Sequence, residues 1–115
     1  MTDSDTLVRE WLTLPEVGGL LELDANRVRQ LINERQLLAV RRDGVLRIPA
    51  IFVQDGRVLK GLPGTLTVLA DSGFSDEEAL RWLFIEDPTL PGSPVQALAE
   101  NRGTEVKRRA QALAF

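Results

Sequence analysis

Asp43-Gly44 constrains this chain more than any other dipeptide, because it lies between Leu38-Ala39-Val40-Arg41-Arg42 and Val45-Leu46-Arg47-Ile48. A two-residue loop that turns one strand back on the next needs φ > 0 at both central positions, and Asp-Gly meets that need at little steric cost. The segment is therefore expected to be a β-hairpin whose second strand ends at Pro49, which has no N–H to donate. Arg41, Arg42 and Arg47 fall on or beside its tip.

What precedes the hairpin is helical in pattern. Thr13-Leu14-Pro15-Glu16 is a capping box, with a Thr hydroxyl for the Glu16 amide and a Glu carboxylate to reach back. A short helix follows, with Val17, Leu20 and Leu21 on one face. Gly18-Gly19 inside it costs roughly 1 kcal/mol per Gly relative to Ala, so a close helix–helix crossing is the expected compensation. Asp24 then caps a second helix over about 25–35, in which Val28, Leu31 and Ile32 form the buried stripe. Its opposite face reads Asn26, Arg29, Gln30 and Asn33, with Arg27 at the edge. Two short helices separated by two or three residues fit a helix-turn-helix. The second helix presents the side chains that make bidentate contacts to adenine and guanine edges.

After the hairpin the punctuation is that of short helices. Leu66, Leu69 and Ala70 mark one, stopped by Gly73; Ser75-Asp76-Glu77-Glu78 is a capping box that opens another with Ala79, Leu80, Leu83 and Phe84. Pro88 and Pro91-Gly92 break the pattern, Ser93-Pro94 restarts it, and Asn101-Arg102-Gly103 ends it before Thr104 caps a last helix carrying Val106, Ala110 and Leu113. The expected fold is mainly α with a small β-hairpin wing. A flexible acidic tail over 1–10 leads into a winged helix-turn-helix over 11–60, and a helical extension over 61–115 packs on it.

Composition removes other functions. The 115 residues contain no His and no Cys, which excludes zinc fingers, iron–sulfur clusters, Cys nucleophiles and Ser-His-Asp triads. No calcium-loop pattern occurs, so neither a metal nor another cofactor is expected. Asp76, Glu77 and Glu78 are what a helix dipole favours in a first turn and do not read as a catalytic pair; the chain is not expected to be an enzyme. No apolar run approaches the roughly 18 residues of a membrane span, and Met1–Thr6 is acidic and polar, the reverse of a secretory signal. A cytoplasmic protein without membrane contact is expected.

The net charge is −3, but it is unevenly spread. Residues 24–60 carry Arg27, Arg29, Arg35, Arg41, Arg42, Arg47, Arg57 and Lys60 against Asp24, Glu34, Asp43 and Asp55, a net of +4 between a −4 leader and a −3 carboxy-terminal half. That is the charge distribution of either a phosphate-binding face or a solvated basic surface, and the helix-turn-helix and hairpin signals in the same segment favour the first. The implied partner is double-stranded DNA, with Asn26, Arg27, Arg29, Gln30, Asn33, Arg41, Arg42 and Arg47 as contact residues.

Leu12-Thr13-Leu14-Pro15-Glu16-Val17, Val28-Arg29-Gln30-Leu31-Ile32, Leu37-Leu38-Ala39-Val40-Arg41 and Arg47-Ile48-Pro49 together resemble the winged helix of excisionases and mercury-resistance regulators. Over nearly its whole length the chain also looks like a group of actinobacterial winged-helix DNA-binding proteins that are substrates of a membrane Ser/Thr protein kinase. Leu62-Pro63-Gly64, Arg81-Trp82-Leu83-Phe84, Asp87-Pro88 and Val106-x-Arg108-Arg109-Ala110-Gln111-Ala112 support that likeness. The resemblance implies transcriptional regulation, a Ser/Thr kinase as partner and a phosphoacceptor Thr in the leader, for which Thr2 and Thr6 are the candidates. Arg35 and Glu22 stand where the winged-helix pattern has Gly, which implies backbone strain or a different helix end. The second half is similar to the helical toxin-binding domain of one class of bacterial antitoxins, which implies, as the alternative, a protein-interaction adaptor that does not bind DNA.

Overall fold

The computed structural model describes residues 7–90 and 92–113. Along them run β1 (Trp11–Thr13), α1 (Leu14–Leu21), α2 (Ala25–Asn33), β2 (Val40–Arg42), β3 (Val45–Pro49), a 3-10 turn (Ala50–Phe52), β4 (Val53–Gln54) and β5 (Arg57–Val58). Four more helices follow: α3 (Leu62–Asp71), α4 (Asp76–Phe84), α5 (Pro94–Ala99) and α6 (Gly103–Ala112). The fold is mainly helical with a small antiparallel β-wing, as the sequence predicts.

Local chemistry sets most helix starts. The Thr13 hydroxyl accepts from the Glu16 amide at 3.3 Å while the Thr13 amide donates to Glu16 Oε1 at 2.8 Å, and the Ser75–Glu78 pair repeats the arrangement at 3.2 and 2.8 Å. The Ser75 amide and hydroxyl hold the Glu78 carboxyl below its ordinary pKa. Ser93 and Gln96 close a third such box. Thr104 does not cap α6: the Val106 amide already bonds the Arg102 carbonyl, so the helix begins at Gly103. There the backbones of α3 and α6 meet, with a Cβ built on Gly61 only 3.7 Å from the Gly103 Cα.

The sheet has the order β1-β3-β2, all antiparallel, with Leu12 opposite Ile48 and Val40 opposite Arg47. β1 is three residues long, too short for a period-2 pattern to be visible. A second hairpin, β4–β5, reuses the dipeptide chemistry of the first: Asp55-Gly56 has the same φ values, 53° and 76°, as Asp43-Gly44.

Phe52, Ile48, Val17 and Val28 from the first half and Leu80, Leu83 and Leu98 from the second belong to one continuous buried cluster. Phe52 and Phe84 touch across it, ring centroids 5.9 Å apart. Besides the Thr104 cap, two expectations from the sequence do not hold. The chain is fixed from Val8 onward and not from residue 11: Val8 is buried, and the Glu10 carbonyl accepts from the Ala50 amide at 2.9 Å, continuing the β1–β3 pairing. The apolar pair Leu7-Val8, with polar residues on both sides, gives no periodicity from which this could be read. Leu20 is 51% exposed; Leu14 and Val17, not Leu20, carry the α1 core contact.

The Gly18-Gly19 pair divides in two. A Cβ on Gly18 would lie 2.5 Å from the Leu23 carbonyl oxygen, whereas one on Gly19 would meet nothing within 4 Å. Gly18→Ala is therefore expected to destabilise the fold by about 1–3 kcal/mol through overpacking. Gly19→Ala should stabilise it by about 0.5–1 kcal/mol through helix propensity. Urea unfolding of the two variants checks this; equal effects would show that the turn is not the constraint.

Candidate nucleic-acid interface

Asp24 starts α2 by accepting the Arg27 amide at 2.8 Å. With 100° per residue, burying Val28 and half-burying Leu31 and Ile32 turns Asn26, Arg29, Gln30 and Asn33 to the opposite side, and all four are exposed. Arg27 is exposed at the flank of this face. It donates to Gln30 Oε1 at 2.6 Å, and Gln30 Nε2 donates to Glu34 at 3.0 Å, so Gln30 is held in place by its helical neighbours. Among the described residues, the side chains of Asn26, Arg29 and Asn33 have no hydrogen-bond partner.

The wing arginines separate. Residues directly opposite in an antiparallel pair share a sheet face, and alternate residues along a strand change face. The register puts Trp11, Thr13, Val40, Arg42, Val45 and Arg47 on one face, and Leu12, Arg41, Leu46 and Ile48 on the other. Arg41 is exposed at the turn, where it donates to the Gly44 carbonyl at 3.1 Å. Arg47 is half-buried in the central strand.

Arg42 is directed at the second half of the chain. Its guanidinium donates to Glu77 of α4 through both terminal nitrogens, at 2.7 and 3.3 Å, and lies 5.4 Å from the centre of the Trp11 ring. Its side chain is only 17% exposed. Adjacency in the sequence groups Arg42 with Arg41; alternation along the strand puts them on opposite faces. Glu77 is legible in the sequence only as a first-turn acid, since nothing local links residues 35 positions apart.

Glu22, in the turn between α1 and α2, and Arg35, just past the end of α2, both adopt φ 59°. The left-handed conformation that glycine would supply is thus kept without glycine, at roughly 1–2 kcal/mol each.

Residues 2–53 match the family described as "DNA-binding protein Rv2175c, wHTH domain", and residues 59–114 match "Rv2175c C-terminal domain of unknown function". The DNA-binding protein Rv2175c of Mycobacterium tuberculosis (strain ATCC 25618 / H37Rv) is 44% identical over 115 residues, covering 89% of this chain and 79% of the relative. The chain belongs to the Rv2175c family. The NMR structure of Rv2175c agrees in fold, with a TM-score of 0.84 at 41% identity over 92% of this chain and 82% of that one. An excisionase of Streptomyces ambofaciens is 38% identical over 50 residues, 44% of this chain and 81% of its own length. The Rv2175c family therefore accounts for both halves, and the excisionase likeness for one of them.

Proposed function

We propose that the protein binds double-stranded DNA in a sequence-dependent manner and regulates transcription. The observation that carries this reading is the α2 face, where Asn26, Arg29, Gln30 and Asn33 stand exposed on a helix whose other side is locked into the core. Major-groove edges of adenine and guanine are complementary to those side chains. Arg27 at the flank, Arg41 at the wing turn and Arg47 in the sheet supply phosphate contacts that orient the helix without reading sequence. Membership of a family containing a protein named for DNA binding supports the same reading. No helix among the described residues is long and apolar enough to cross a membrane.

The test is selection from a random duplex library followed by a salt titration of the winning site. Affinity should fall linearly in log–log form, with about 0.9 in slope for each phosphate neutralised. Absence of any mobility shift at low salt across the library overturns the proposal.

A second part of the reading is control by a Ser/Thr kinase through Thr2 or Thr6, both outside the described residues. It is supported by the resemblance to kinase substrates and by the acidic leader ahead of a basic segment. Phosphate would add about −1.5 to −2 charges as an intramolecular competitor for the arginines. Repeating the titration with either Thr phosphorylated should give weaker binding, most clearly at low salt. Unchanged affinity at low salt removes this part and leaves DNA binding intact.

A further inference from the structure

Arg42 is the last residue of β2 and adjoins the wing turn, while Glu77 is the second residue of α4. The Ser75–Glu78 capping box fixes the helical turn on which Glu77 rides. Glu77 is therefore a fixed anchor, placed where the positive end of the helix dipole favours an acid. The contact is a fork: two guanidinium nitrogens meet the two carboxylate oxygens, and the same guanidinium lies over Trp11 of β1 and donates to the Arg41 carbonyl at 3.0 Å. A bidentate pair fixes orientation as well as distance. β1, β2 and α4 are thereby joined at one side chain, and the joint sits one residue from the Asp43-Gly44 turn.

We propose that Glu77 is a positioning residue for DNA binding, and that the second half of the chain serves as the brace that sets the wing. Through Arg42, α4 fixes the angle at which the wing leaves the sheet, and with it the place where Arg41 meets the DNA backbone. The inference rests on the DNA-binding reading and assigns a role to the half of the chain whose family description gives none. The competing role for Arg42 is a phosphate contact that Glu77 masks. The two differ in sign. A brace loses affinity when Glu77 is neutralised, although removing an acid should by itself favour a polyanion; a masked contact gains affinity.

The experiment compares Glu77→Gln and Arg42→Lys with wild type in full-length protein, after circular dichroism has shown that each is folded. For a brace, both variants should lower affinity for the selected site by about five- to tenfold, with the salt slope unchanged, because Lys keeps the charge but not the fork. The double variant should lose no more than the worse single one. Tighter binding by Glu77→Gln with a slope steeper by about 0.9, or full affinity in Arg42→Lys, overturns the proposal. Amide exchange in the protein without DNA gives a readout that does not depend on DNA binding. The amides of Arg41 to Val45 should exchange about tenfold faster in Glu77→Gln, while those of α2 stay unchanged. Wild-type exchange rates at the wing overturn the brace whatever the DNA result; faster exchange in a protein that binds no duplex would retain the brace and remove the DNA-binding reading instead.

Discussion

Phe52→Ala is expected to lower stability by about 3–5 kcal/mol, and to lower it for both halves of the chain at once. Phe52 is fully buried, sits in the 3-10 turn between the two hairpins, and contacts the ring of Phe84 at the end of α4. Removing its ring leaves a cavity lined from both sides, and neither side can collapse into it without dragging its helix. Domains of this size have about 5–15 kcal/mol in total, so the loss is a large share of it. The two tryptophans make the test direct, since Trp11 lies in β1 and Trp82 in α4. With Trp82→Phe or Trp11→Phe as single-tryptophan backgrounds, urea unfolding should show coincident midpoints that shift together on Phe52→Ala. A shift confined to Trp11 would mean that the halves unfold separately and that the shared core is not cooperative.

What the sequence revealed follows from which forces are local. The caps at Thr13, Asp24, Ser75 and Ser93 act over three residues, so each could be read directly, and each is present. The face of α2 was legible for the same reason, because a helix fixes which side chains are neighbours without reference to the rest of the chain. Contacts between elements distant in sequence were not. β1 exists because Trp11–Thr13 pairs with Arg47–Pro49, and the direction of Arg42 depends on the register and on an acid 35 positions away. The β4–β5 hairpin is a different case: Asp55-Gly56 carried the same turn chemistry as Asp43-Gly44, but only two residues pair on each side, too few to show alternation.

On the proposed DNA-binding reading, substitutions in α2 and in the wing should separate base reading from positioning. Arg29→Ala and Gln30→Ala are expected to change which sequences are preferred, at about 1–3 kcal/mol for each bidentate base pairing removed, while Arg41→Ala should weaken all sequences alike and reduce the salt slope by about 0.9. Gln30 permits a sharper expectation. Its amide has two N–H donors and two acceptor lone pairs, and one of each is taken, by Glu34 and by Arg27. One donor and one acceptor remain, which is what the N7 and N6 edge of adenine requires. The neighbours therefore orient the amide without exhausting it, and its rotation is already restricted before DNA arrives. Arg27→Ala should then relax preference at the base pair read by Gln30, by less than Gln30→Ala does, and leave the base pair read by Arg29 untouched. Library selection with each variant, scored position by position, measures this. Uniform weakening by Arg27→Ala would assign Arg27 to phosphate contact alone, and uniform weakening by Arg29→Ala and Gln30→Ala as well would mean that α2 does not enter the groove.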